Sequence, residues 1–345
     1  MILLCFGTRP EAIKLGPVAD ALTTRGVPWA AVASGQHTDL LAGTPAETTF
    51  AGAHSLGLLS DGDLTRWRRN TRAAFGGAFA KWRPRAVVVQ GDTMSALAAA
   101  EAAAQHPILL AHVEAGVRSH NRREPWPEEE ARERIGQLAS IHYAPTATAV
   151  GNLAAERVRG RVLLTGNTGV DALAAAPHVA GVGVAGAVLV TLHRRELRDR
   201  GNPHALLETM IAAMAVTKRR FLWLVHPAME VYVPRALPTN IWRLTPLLHN
   251  ETINVLRAAS AVLTDSGGLV EEATTLGIPT AILRDANDRP EAEAAGVARR
   301  FDRADVAVAV RWVVAPPAVT PSAVFGDGRA SARIAADLAS LEGLT

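Results

Sequence analysis

The chain predicts an α/β protein built of two Rossmann-like domains facing across a cleft. Three observations carry that prediction. Short apolar runs alternate with longer amphipathic stretches along the chain, the pattern of parallel strands covered by helices. At 345 residues the chain can form two domains, each with its own core. A strand-to-helix turn occurs once in each half: Gly7-Thr8-Arg9-Pro10-Glu11 after the first apolar run, and Thr264-Asp265-Ser266-Gly267-Gly268 far downstream.

In order, apolar runs predict strands over 2–6, 29–33, 86–90, 108–112, 141–143 and 162–164. The stretches between them predict helices over 10–25, 64–81, 93–105, 127–138 and 147–157. Thr8 and Glu11 have the spacing of a capping box at the first helix. The turn 165–168 leads into a small-residue linker over 174–186. Strands then follow at 187–192, 221–225, 241–244, 261–264 and 280–283, with helices at 203–216, 250–258, 269–276 and 304–313. A Pro-rich segment, 315–321, precedes a last helix from about 330. The expected division is 1–167 for the first domain and 168–329 for the second, with 330–345 packing back onto the first.

The bulk properties exclude several classes. Hydrophobic residues at 48% and charged residues at 20% are a globular composition. The net charge is only +3, and no dense basic tract interleaved with aromatics is present, so nucleic-acid binding is not expected. Arg66-Trp67-Arg68-Arg69 is the nearest candidate and reads as a solvated helix face. The single cysteine, Cys5, lies in the first apolar run, which implies packing and no internal disulfide. The opening run is too short for a signal peptide, and 179–192 is too short and glycine-rich to span a bilayer. A soluble cytoplasmic protein without membrane attachment is expected.

A helix N-terminus has free N–H groups and a partial positive charge, which suits phosphate. Two such turns, with Arg9 and Lys14 beside the first, suggest a diphosphate and hence a nucleotide ligand. Three carboxylates fall where such a cleft would place them: Asp92 after the strand 86–90, Glu114 after 108–112, and Glu128 opening the helix after Pro125-Trp126-Pro127. Asp92 also fits a helix N-cap, and Glu128 a first-turn carboxylate facing the helix dipole. His193 follows the strand 187–192 beside Arg194 and Arg195, as part of an anion site. His226 ends the strand 221–225 and has a purely structural alternative. Ser266 with the Gly267 and Gly268 amides would hold phosphate, and Glu272 would accept from ribose hydroxyls. No His pair has helical metal-site spacing, so no metal is expected.

The chain resembles the non-hydrolysing UDP-N-acetylglucosamine 2-epimerase family. The motifs run in order: FGTRPEAIK from Phe6, GQH from Gly35, GDT from Gly91, HVEAG from His112 and PWPEE from Pro125. They continue with TGNT from Thr165, HRRE from His193, VHP from Val225, TDSGG from Thr264, RPEA from Arg289 and FGDGRAS from Phe325. The resemblance implies a GT-B-like glycosyltransferase architecture, a UDP-sugar as ligand, no cofactor and a homodimer. It implies that Arg9, His193, Ser266 and Gly267 contact the diphosphate and Glu272 the ribose. Asp92, Glu114, Glu128 and His193 would be the catalytic group, with Lys14 nearby. Arg132, Arg194, His226 and Gly268 complete the implied binding set.

The implied reaction is elimination and re-addition. A base takes the C2 proton while UDP leaves C1, giving a 2-acetamidoglucal; UDP then adds back as a proton reaches the opposite face of C2. Gln90 and Leu192 stand where His and Gly are common in the family, Ala131 where Asn is common and Gln137 where His is common. Gln36 matches one residue of a second-substrate activator site, but Asp39 occupies the other position, so activation by substrate is expected to be weak or absent. A hydrolysing relative, a glycosyltransferase of the same architecture and a catalytically inactive UDP-sugar-binding regulator are the alternatives. The product would feed a cell-surface polysaccharide or an antibiotic aminosugar.

Overall fold

In the computed structural model, residues 1–35, 41, 44, 46–59, 62–179, 183–199, 202–245 and 247–341 are described. The chain forms two compact units: Met1–Ala175 with Gly326–Thr345, and Ala176–Phe325.

The first unit runs β1 (Ile2–Phe6), α1 (Arg9–Thr24), β2 (Trp29–Ala33), α2 (Ala46–Thr49), β3 (His54–Ser55), α3 (Leu64–Trp82) and β4 (Ala86–Gln90). It continues through α4 (Met94–Ala103), β5 (Leu109–Val113), α5 (Glu128–Leu138), β6 (Ile141–Ala144), α6 (Ala147–Ala155), β7 (Arg161–Leu164) and α7 (Thr168–Ala175). Its parallel sheet has the order β3-β2-β1-β4-β5-β6-β7, reversing between β1 and β4. Successive residues of β1 supply both faces: Ile2, Leu4 and Phe6 join one core cluster, Leu3 and Cys5 the other. An uninterrupted apolar run is what a strand buried on both faces needs.

The second unit runs β8 (Val188–Thr191), α8 (Arg195–Asp199), α9 (Pro203–Ala215), β9 (Phe221–Leu224), β10 (Ile241–Leu244), α10 (His249–Ala258) and β11 (Ala261–Thr264). Then come α11 (Gly267–Leu276), β12 (Thr280–Leu283), α12 (Pro290–Ala294), β13 (Ala298–Phe301) and α13 (Val306–Val314). The sheet order β10-β9-β8-β11-β12-β13 repeats the Rossmann pattern, with its reversal between β8 and β11.

Two strands escape the sequence reading. β3 is only two exposed residues, and β13, Ala-Arg-Arg-Phe, is an edge strand whose arginines face solvent. The division also falls after Ala175 rather than at 167. The reason is that α7 packs on α1, and Asp171 accepts hydrogen bonds from the backbone N–H groups of Ala330 and Ser331. Those residues open the last helix, α14 (Ala330–Leu341). Ile334, Ala335 and Leu338 of α14 are buried in the β1–α1 core, and Asp337 accepts from Tyr143 Oη at 2.7 Å.

Cys5 is buried and burial pushes its thiol pKa up. In the Arg66–Arg69 segment Trp67 turns inward and donates to Leu58 O at 3.0 Å, while Arg68 lies 3.8 Å from Glu101. No described helix is long and apolar enough to cross a membrane.

Candidate active site

The carboxyl end of the first sheet gathers the predicted acids. Glu114 directly follows β5 with φ +67°, a left-handed conformation that costs a non-glycine residue about 1–2 kcal/mol. Its carboxylate is held from two sides: Lys14 Nζ lies 2.5 Å away, and Gln90 Nε2 donates at 2.8 Å. Lys14 comes from α1 and Gln90 ends β4, so three adjacent elements fix this one side chain.

Asp92 lies two residues beyond Gln90. It is not the N-cap of α4; Thr93 is, accepting from Ala96 N at 3.0 Å. Asp92 is instead bound by Arg132, with Nη2 at 2.6 Å and Nε at 2.8 Å from Oδ2. Glu128 opens α5 four residues before Arg132, so the two share one helix face, and Glu128 is half-buried. The next carboxylate of α5, Glu129, accepts from Ser119 N and His120 N and from Arg132 Nη1 at 3.0 Å. Ala131 is buried in the core and Gln137 is exposed, so these two departures replace a packing residue and a surface residue.

The first helix start forms the capping box that the spacing of Thr8 and Glu11 predicts. Glu11 turns back so that its own carboxylate accepts Gly7 N–H at 3.0 Å and Thr8 N–H at 2.7 Å. Thr8 Oγ1 donates to the same oxygen at 2.8 Å. These two amides thus serve Glu11 rather than standing open for a phosphate. Burial pushes the Glu11 pKa up to about 7 despite its four donors.

In the second unit, Asp265 organises the turn that follows β8. Its buried carboxylate accepts from His193 N at 2.9 Å and Arg194 N at 2.8 Å, and His193 Nδ1 lies 3.1 Å away. Burial pushes Asp265 up, but the His193 charge and hydrogen bonds outweigh it and hold the carboxyl below its usual range. Arg194 Nε donates to Asp265 O at 3.1 Å, which ties the end of β8 to the end of β11 across the sheet's reversal.

Ser266 is the N-cap of α11. A Cβ on Gly267 would lie 3.7 Å from both Arg194 Nη2 and the Arg289 guanidinium, whereas Gly268 faces open space. The α11 N-terminus is therefore flanked by two guanidinium groups. Arg289 also pairs with the buried Glu271, so the adjacent Glu271 and Glu272 divide their roles: one is internal, the other half-buried. His226 stacks on His193 with ring centroids 5.4 Å apart, and its Nδ1 accepts from Ala228 N. Burial lowers its pKa, and the charges of His193 and Arg198 add to that.

Sequence reading missed the parts played by Gln90, Glu129, Asp265, Glu271 and Arg289, all of which act by holding another named residue. Their signal was adjacency to a recognised motif. Gln36 and Asp39 lie outside the described residues. Among the described residues no group of three or more His, Cys, Asp or Glu side chains is placed to hold a metal ion.

Two parallel sheets of Rossmann order, with functional side chains clustered at strand carboxyl ends, define a GT-B-like α/β protein. The family model described as UDP-N-acetylglucosamine 2-epimerase matches residues 21–339, and the chain belongs to that family. The UDP-N-acetylglucosamine 2-epimerase of Escherichia coli (strain K12) is 34% identical over 324 residues, covering 86% of this chain and 85% of that protein. Two crystal structures are similar at 28% identity, each covering 98% of this chain and 99% of the other. They are the Methanocaldococcus jannaschii UDP-GlcNAc 2-epimerase in complex with UDP-GlcNAc and UDP, at a TM-score of 0.87, and the Neisseria meningitidis enzyme bound to UDP-GlcNAc, at 0.88.

Proposed function

We propose that this chain interconverts UDP-GlcNAc and UDP-ManNAc without releasing the intermediate. The observation that carries the reading is a carboxylate after each of two adjacent strands: Glu114 after β5, strained and fixed by Lys14 and Gln90, and Asp92 after β4, fixed by Arg132. A C2 hydrogen is not adjacent to a carbonyl, so its removal must be coupled to loss of the C1 substituent. One carboxylate takes the C2 proton as the C1–O bond breaks, and the electron pair of the C–H bond becomes the C1–C2 double bond. UDP departs with the pair from the C1–O bond. Re-addition reverses these steps with the proton delivered to the other face of C2, which requires two proton-transfer groups.

Charge growing on UDP is met by the Ser266–Gly268 amides, Arg194, His193 and Arg9, and Glu272 accepts from the ribose. This requires that both half-sites engage a single UDP-sugar. The names of the two ligand-bound neighbours support that ligand class. The family resemblance supports a homodimer in the cytoplasm.

Incubation with UDP-GlcNAc in heavy water tests the reading. The expected product is intact UDP-ManNAc carrying deuterium at C2. Free ManNAc with UDP would replace it by a hydrolytic reaction, and no turnover without an acceptor would favour a transferase.

A further inference from the structure

Among the described buried carboxylates that the proposed reaction does not use, Glu11 is the one that touches the turn carrying Asp92. Glu11 is 1% exposed, and its two oxygens face different turns. Oε2 accepts from Gly7 N, Thr8 N and Thr8 Oγ1 within the β1–α1 turn. Oε1 accepts from Thr93 Oγ1 at 2.7 Å, in the turn between β4 and α4. These turns adjoin at the sheet's reversal, and Thr93 directly follows Asp92. Capping its own helix requires only the first oxygen; the second is a tie between turns. The contact is close-packed: a Cβ on Gly7 would fall 1.8 Å from Ser95 Oγ, which itself lies 3.0 Å from Ser34 Oγ.

We infer that Glu11 is a positioning residue for the epimerisation, fixing Asp92 through the Thr93 hydroxyl. Lys14, three residues on, fixes Glu114. A single helix start thereby sets both carboxylates on one frame. In the second unit Asp265 bridges the corresponding strand ends, β8 and β11, so the device occurs at both sheet reversals. The inference rests on the proposed role of Asp92.

Glu11→Gln can keep the bridge, because the Thr93 hydroxyl accepts from an amide N–H₂ as well as it donates to a carboxylate, whereas Glu11→Met, of similar length, cannot. Glu11→Met is expected to lower kcat about tenfold while KM for UDP-GlcNAc stays within about twofold, as for a misplaced reacting group, and Glu11→Gln to recover most of that loss. Thr93→Val breaks the same tie from its other end and also removes the α4 cap to Ala96 N, so it is expected to lose at least as much. The double variant should be no worse than Thr93→Val alone, because both remove one bridge. Wild-type kcat in a folded Glu11→Met, a kcat loss in Glu11→Met with a fully active Thr93→Val, or multiplying effects in the double variant would overturn the inference. Asp92→Asn separates it from the reading beneath: an inactive Asp92→Asn beside a fully active Glu11→Met removes only the positioning role. A fully active Asp92→Asn removes the catalytic assignment itself.

Discussion

Glu114 shows how one side chain's chemistry depends on neighbours from several elements. Its backbone strain persists because Lys14 and Gln90 hold the carboxylate. Glu114→Gln preserves the contact to Gln90 in shape but cannot accept a proton. It is expected to lower kcat about 10²–10⁴-fold with little change in UDP affinity, measurable by steady-state kinetics and UDP titration. A second test concerns His112, whose Nε2 lies 2.7 Å from Gly91 O, and whose pKa burial lowers from 6.5 to about 3. Between those values the unfolded chain binds a proton that the folded chain refuses. This group's contribution is therefore fully present above pH 6.5 and is lost as pH falls toward 3, by up to about 5 kcal/mol. Glu11, raised from 4.5 to about 7, acts oppositely: its contribution is present below 4.5 and lost as pH rises through 7. Urea midpoints followed from pH 7.5 to 4 should show His112→Gln with a shallower acid loss and Glu11→Gln with a shallower alkaline loss than the parent.

At the scale of elements, the start of α11 combines the proposed phosphate contact with a packing core. Ser266 caps the helix through a long bond of 3.4 Å to Leu269 N, while Glu271 and Arg289 form a buried pair behind it. Ser266→Ala should weaken UDP binding about tenfold by calorimetry while lowering stability by no more than about 1 kcal/mol. Arg289→Met removes the charge paired with the buried Glu271 and should destabilise by about 3–5 kcal/mol, seen as a lowered Tm. Equal stability of the two variants would contradict this division of roles. Strand ends explain the difference: β8 and β11 place Arg194 and Ser266 at the surface, and the next turn of α11 is already inside.

At the scale of the whole chain, the last helix closes the first unit's core from 150 residues away. Leu338 is fully buried among α1 and β-sheet residues, so Leu338→Ala should destabilise by about 2–5 kcal/mol. Limited proteolysis should then cut within unit 1 before unit 2. Early cleavage confined to 176–325 would contradict the assignment of α14 to the first core.

Much of this was legible in the residues alone. The strands over 2–6, 86–90, 261–264 and 280–283 follow from apolar runs buried on both faces of a sheet, and those over 29–33 and 241–244 from runs that are only partly buried. Asp92, Glu114, His193 and Ser266 stand out as candidates because each follows an apolar run, and strand ends are local features. The tertiary structure decided who holds whom. Glu11 meets Thr93, Lys14 meets Glu114 and Asp171 meets Ser331 across 82, 100 and 160 residues, and no spacing rule reaches that far. A buried charge needs a partner wherever the fold supplies one, and the supply is set by packing rather than by sequence distance.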